Sequence, residues 1–187
     1  GPDYGRFVAA VRDLQDHARA ADAPDDVITA AADLIQQASE LLAPFDADEW
    51  SSPSGRRVDL PNRGNVLGGP MELHRAGDCR VGGWARFPRV CLGRNGAAHG
   101  GVARLLFDSV LGYTAVVLTG ERTQRTAYLH IDYRAIVPIG PKANNMDFGA
   151  ARNRPDFSRF FSYPAMRIAP MPKWDDPKSG SLQDRAR

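Results

Sequence analysis

The sequence predicts an α+β domain preceded by two helices. A run from about residue 99 to 118 is apolar nearly all round, as in a helix buried on most of its faces. Stretches on either side of it alternate apolar and polar residues, the period-two pattern of a sheet with one buried face. With 187 residues, of which 43% are hydrophobic and 25% charged, the chain can form one soluble core with appendages.

Residues 1–48 predict a helical hairpin packed on the main domain. Two sets of apolar residues recur at helical spacing there: Phe7, Val8, Val11, Leu14 and His17, then Val27, Ile28, Ala31, Leu34, Ile35, Ala38, Leu41 and Leu42. Asp25 and Asp26 suit the positive end of the second helix, and Pro44 marks its end.

Residues 49–70 predict a linker or extended wrap, because they are rich in Ser, Pro, Gly and Arg. The glycines in this segment have no GK[ST] ending and follow no strand, which argues against a phosphate-binding loop.

Residues 71–140 form the predicted core. Two strands, Met71–His74 and Arg80–Phe87, precede a helix that runs from about His99 to Leu118. A long strand, Thr126–Val137, follows and ends where Pro138 begins.

Residues 141–187 predict a mostly irregular, proline-rich tail with one short helix near Asp156–Tyr163. Prolines interrupt nearly every candidate element: Pro155, Pro164, Pro170, Pro172 and Pro177.

Composition narrows the function class. A net charge of +2 gives no support for nucleic-acid binding. Cys79 and Cys91 form no CxxC motif, which favours reduced thiols in a cytoplasmic protein. No basic start leads into a long apolar run, so we expect neither a signal peptide nor a membrane span.

The most informative stretch runs from Asn95 to Asp108. Gly100 and Gly101 follow His99 at a predicted helix start, although glycine is a poor helix former. Such a start offers unpaired N–H groups and partial positive charge to an oxyanion or phosphate. Asp108 lies about two and a half turns further along the helix. An anion site and a carboxylate on one element are groups that acyl transfer or hydrolysis can use.

Residues 65–140 resemble the hotdog-fold thioesterases of the PaaI type, which hydrolyse acyl-CoA thioesters. His99-Gly100-Gly101 matches the family's HGG, and Asp108 matches the acidic residue on its central helix. Thr126 falls where the family has Ser or Thr at the start of the following strand. Leu129–Arg134, with Pro138 and Gly140, matches the strand that closes that half of the sheet. The resemblance implies a hotdog fold, in which an antiparallel sheet wraps around a central helix.

The resemblance also implies a mechanism. The Gly100 N–H would hold the oxyanion that develops on the thioester carbonyl. Asp108, from the neighbouring subunit in this family, would act as general base on water or as nucleophile. Thr126 would position the water or the carboxylate by hydrogen bonding. The expected partners are an acyl-CoA substrate and further copies of the chain, in a homodimer or homotetramer, with no metal or cofactor.

Other roles follow from the same resemblance. His99 would shape the helix start, and Asn95 would touch the thioester or the catalytic water. In relatives the residue comparable to Asn95 often lies two positions earlier, at Gly93 here. The residues expected to bind substrate are Gly101, Arg94 and Arg134.

Simpler interpretations remain open at this point. Asp108 could pair with Arg104, one turn earlier. His99 could be only a helix cap, Thr126 an ordinary strand residue, and the arginines solvated. The family needs two further long strands after Gly140, so the tail either forms strands that its pattern does not reveal or departs from the fold. The alternative function is therefore a non-catalytic or degenerate hotdog-like module that binds acyl groups or a protein.

Overall fold

The computed structural model describes residues 1–77, 80–121, 125–131, 133, 136–137, 139, 144–151, 154–156 and 165–169. It has the predicted α+β composition. Its helices are α1 (Tyr4–Ala20), α2 (Asp25–Leu42) and α3 (Gly100–Thr119). Its strands are β1 (Met71–Gly77), β2 (Arg80–Ala85), β3 (Arg125–His130), β4 (Asn144–Ala151), β5 (Arg154–Asp156) and β6 (Ala165–Ala169).

Helix α1 is attached to the core by residues spaced four apart, which share one face of a helix. The Tyr4 hydroxyl donates to the Gly64 carbonyl at 3.4 Å, and Val8 is buried. Arg12 donates to two carbonyl oxygens of the 49–70 segment, and Asp16 accepts a hydrogen bond from the Val90 N–H at 2.8 Å. The linker expected at 49–70 is thus a wrap that holds α1.

Helix α2 does not pack as expected. It begins with Asp25 and Asp26 and ends before Pro44, as predicted, but none of its residues is buried. Leu34 and Leu41 are 66% and 74% exposed. The prediction of a hairpin packed on the main domain holds for α1 only.

Helix α3 supplies the centre of the core. Phe107 and Val110 are 1% and 0% exposed, because strands β1, β2 and β3 contact this helix. The cluster around them contains Ala85, Phe87, Cys91, Leu106, Leu111, Ile131 and Val137. By length and composition, Gly100–Val117 could also cross a membrane, with a mean hydropathy of 1.3. The buried core helix of a soluble protein has the same length and composition, and α3 packs at the centre of the cluster described above.

Strands β1 and β2 form an antiparallel hairpin in which Met71 pairs with Ala85 and Glu72 with Trp84. The Trp84 indole donates to the Glu72 carboxylate at 3.0 Å across that pair. Strand β2 continues the sheet to β4 and β4 to β5, giving the order β1-β2-β4-β5. Strands β3 and β6 pair antiparallel in a second, two-stranded sheet.

The prediction of an irregular tail is wrong for its described part, which contains β4, β5 and β6. Strand β4 pairs with β2 rather than with β3, from Ala85 opposite Asn144 to Arg80 opposite Gly149. Asp156, where a short helix was expected to begin, is the last residue of β5, and residues 157–163 lie outside the described residues. The Asn, Asp and Gly residues of β4 are poor strand formers, so its pairing depends on β2.

The strand expected at Thr126–Val137 is shorter than predicted, since β3 ends at His130. Beyond it, the Val137 carbonyl accepts a hydrogen bond from the Ala98 N–H at 2.8 Å. This bond ties the chain after β3 to the loop that precedes α3.

Candidate functional site

A tight hairpin turn leads the chain toward α3. Leu92 and Ala98 form a bridge, and the Ala97 N–H donates to the Arg94 carbonyl at 3.0 Å. Between them, Asn95 and Gly96 have φ angles of 53° and 73°. Positive φ at both central residues defines a type I′ turn, for which Asn-Gly is the preferred pair. Asn95 therefore has a conformational role here, and its contact with substrate stays a prediction.

Gly93 lies close to the start of α3. A Cβ added at Gly93 would lie 3.1 Å from the Cα of His99. A side chain at position 93 would therefore force the start of α3 to shift.

His99 caps α3. Its own N–H donates to the Cys91 carbonyl at 2.8 Å, and its Nδ1 accepts from the Gly101 N–H at 3.0 Å. The side chain satisfies one of the donors that a helix start leaves unpaired. The interpretation of His99 as a cap is thus confirmed, while a chemical role for it stays a prediction.

Gly100 provides an unused donor. The N–H groups of Gly101, Val102 and Ala103 all donate to His99. Within the described residues, no protein group accepts from the Gly100 N–H. The positive end of the helix and this free donor together favour an oxyanion at this point.

Tyr133 covers Gly100, a role that the sequence did not predict. Its hydroxyl donates to the Gly100 carbonyl at 2.7 Å, and a Cβ on Gly100 would lie 3.3 Å from the ring. The hydrogen bond fixes the Gly100–Gly101 peptide, which follows directly on the peptide that carries the Gly100 N–H. The sequence signal that could have indicated this role is a polar aromatic residue in the strand region that faces a helix start.

Asp108 and Thr126 form a pair. The Thr126 hydroxyl donates to Oδ1 of Asp108 at 2.6 Å, a length typical of a charge-assisted bond. Asp108 is exposed on the outer side of α3, and the bond leaves its second oxygen available. The alternative ion pair with Arg104 is not among the salt bridges of the described residues.

The Asp108 carboxylate and the Gly100 N–H are far apart within one chain. They are separated by eight positions on α3, and at ~1.5 Å per residue this spacing corresponds to roughly 12 Å along the axis. A general base and an oxyanion donor must both lie within about 3 Å of the same reacting group. At this spacing, one copy of the chain does not bring both within reach of one reacting group.

The other expected substrate contacts are only partly placed. Gly101 is exposed at the first turn of α3, and its N–H is already used by His99. Arg94 is exposed at the hairpin turn. Arg134 lies outside the described residues. Among the residues that the structure describes, no group of three or more His, Cys, Asp or Glu could hold a metal ion.

Cys91 lies beneath this region as a buried free thiol. Burial, and then the negative charge of Asp16, raise the pKa of this thiol to about 11. The thiol is therefore protonated near neutrality and is a poor nucleophile. Its carbonyl oxygen, which positions His99, is its contribution to the site.

Comparison with known proteins identifies the fold. No protein-family model and no curated protein matches the sequence. A solved crystal structure of a protein described as a thioesterase superfamily protein matches with a TM-score of 0.57 and 20% sequence identity. The match covers 83% of each chain. The chain has the fold of a thioesterase superfamily protein.

This result agrees with the hotdog fold that the 65–140 resemblance implies. The match covers more of the chain than that resemblance does.

Proposed function

We propose that the chain is a thioesterase that hydrolyses an acyl-CoA thioester to the free acid and CoA. The observation that supports it most directly is the 2.6 Å hydrogen bond between Thr126 and Asp108. It holds an exposed carboxylate in one orientation on the central helix, as catalysis requires of a base or nucleophile. The fold shared with a thioesterase superfamily protein supports the same reaction class.

In the proposed mechanism, the Gly100 N–H at the start of α3 receives the thioester oxygen as negative charge develops on it. The free oxygen of Asp108 either takes a proton from water or attacks the carbonyl itself. Because Gly100 and Asp108 are roughly 12 Å apart along one helix, we propose that they come from two copies of the chain. The active protein is then a homodimer or a larger homo-oligomer.

Replacing Asp108 tests this function. Asp108→Asn keeps the shape of the side chain and an oxygen for Thr126, but removes the basic carboxylate. We expect it to lower kcat by about 10²- to 10⁴-fold. The measurement is the release of CoA from a panel of saturated and aromatic acyl-CoA thioesters, monitored by chromatography.

Glu121→Gln is the matched control. It removes an exposed carboxylate just beyond the end of α3 and should leave turnover unchanged. Equal turnover by wild type and Asp108→Asn would refute the proposal. Binding of acyl-CoA by the wild type with no turnover would support the non-catalytic module instead.

A further inference from the structure

A cleft lies on a different side of α3 from Asp108. Its cavity volume is about 60 Å³, several times what one water molecule needs. Its floor is apolar and is formed by Met71, Phe87, Val102, Leu105 and Leu106. Neither Asp108 nor Thr126 lines it, so the proposed catalytic pair does not account for it.

The rim of the cleft is polar, and Arg86 is the only charged residue among the described residues that line it. Arg86 is exposed, and the described residues contain no ion pair of its guanidinium. Asn65, also on the rim, accepts from the Leu67 N–H with Oδ1 at 2.8 Å. Within the described residues its amide N–H₂ donates to no protein group, so it is available to a ligand.

A second guanidinium lies behind this rim. Arg12 of α1 donates to the carbonyl oxygens of Pro61 and Asn65 at 3.1 and 2.8 Å, while its buried Nε has no hydrogen-bond partner. Burial, and then the positive charge of Arg86, lower the pKa of Arg12. Neither arginine forms an ion pair within the described residues. An anion in the cleft would therefore enter an uncompensated positive field.

We propose that this cleft binds a carboxylate that carries an apolar chain. The carboxylate would lie against Arg86, whose planar fork matches two carboxylate oxygens, and against the Asn65 amide. The chain would cover Val102, Leu105 and Leu106 of α3. This inference goes beyond the proposed hydrolysis, because it needs neither Asp108 nor turnover.

The test is binding of octanoate to the full chain, measured by isothermal titration calorimetry. Octanol has the same chain without the charge, and acetate has the charge without the chain. We expect octanoate to bind more tightly than either, because both the rim and the floor contribute. Asp108→Asn should bind octanoate as the wild type does, which separates this site from the catalytic one.

Two arginine variants complete the test. Arg86→Gln should weaken octanoate binding about fivefold, the scale of one partly solvated charged hydrogen bond, and should leave octanol unaffected. Arg89→Gln removes a nearby exposed arginine outside the cleft and should change neither.

The circular dichroism spectra of both variants should match that of the wild type, since both side chains are exposed. Three results would overturn the inference: no octanoate binding by the folded wild type, equal affinities for octanoate and octanol, or equal effects of the two variants.

Discussion

At the scale of single residues, the backbone groups of Gly100 at the start of α3 are the central feature of the candidate site. The His99 side chain and carbonyl accept the N–H groups of Gly101, Val102 and Ala103, and the Tyr133 hydroxyl donates to the Gly100 carbonyl. Among the described residues no protein group accepts from the Gly100 N–H, and we propose that a ligand does. Glycine at this position also lets Tyr133 lie directly over the peptide.

A pair of substitutions at Gly100 isolates that donor. Proline is well tolerated at the first position of a helix, and the extended backbone of His99, with ψ of 133°, suits a following proline. Gly100→Pro removes the N–H, so we expect kcat for the best acyl-CoA substrate to fall by about 10²-fold or more.

Gly100→Ala is its control, because it adds the same Cβ beneath Tyr133 but keeps the N–H. Steady-state kinetics of the two variants give the comparison. If Ala and Pro lower kcat equally, crowding of Tyr133 explains the loss and the N–H is not the oxyanion donor.

Cys91 gives a second prediction at this scale. Its pKa of about 11 keeps it protonated at pH 8, whereas an unfolded cysteine is partly thiolate there. In a Cys79→Ser background, iodoacetamide should therefore modify the folded protein roughly a hundredfold more slowly than the protein in urea. Mass spectrometry follows the modification. Similar rates in both states would show that the Cys91 thiol is not buried and that its pKa is not raised.

At the scale of elements, α1 is attached by polar residues as much as by apolar burial. Val8 is its only buried residue, while Tyr4, Arg12 and Asp16 continue the same face with hydrogen bonds to two loops. The periodicity of apolar residues included Val8, but it also included Phe7 and Leu14, which are 40% and 41% exposed. Hydrogen bonds to loops leave no periodic signal, because the partners of these side chains are backbone groups distant in sequence.

Asp16 tests this attachment. Asp16→Ala leaves the Val90 N–H without its acceptor, and we expect the free energy of unfolding to fall by about 1 kcal/mol. Urea denaturation measures it, with an unchanged m value. Asp13→Ala removes an exposed carboxylate of the same helix and should cost less. Equal losses of unfolding free energy would mean that the charge on α1, rather than the hydrogen bond to Val90, stabilises the fold.

At the scale of the whole molecule, the described chain holds two halves of a site at different points of one helix. Gly100 is at the start of α3, whereas Asp108 and Thr126 meet about two turns later. We infer that two copies bring the two halves together, as closed symmetric dimers commonly do.

Mixed dimers test that arrangement. One tagged copy carries Asp108→Asn, and a second, differently tagged copy carries Gly100→Pro. Each homodimer should be inactive, while the doubly purified mixed dimer keeps one intact site and should recover roughly half of the wild-type activity. Activity no higher than that of the two parents, in a mixed dimer of confirmed composition, would place the reaction within a single copy.

The strands of the tail could be predicted only in part from the sequence. In β4, Met146, Phe148 and Ala150 alternate with Asn145, Asp147 and Gly149, so a period-two signal is present. The polar and glycine residues weaken it, since they are depleted in strands. The pairing partner is β2, some sixty residues earlier in the chain. Such non-local pairing is not encoded in any local pattern.

The sequence alone determined the features that depend on neighbours along the chain. The period of apolar residues predicted α1, α2, α3 and the β1–β2 hairpin, and His99-Gly100-Gly101 predicted a helix start able to hold an anion. Tertiary structure alone decided the features that join distant residues. It brought Thr126 to Asp108, Tyr133 over Gly100, Arg12 behind Arg86, and β4 to β2. Helix periodicity and caps arise from contacts within a few residues, whereas these pairs form only when the packed core fixes where each element lies.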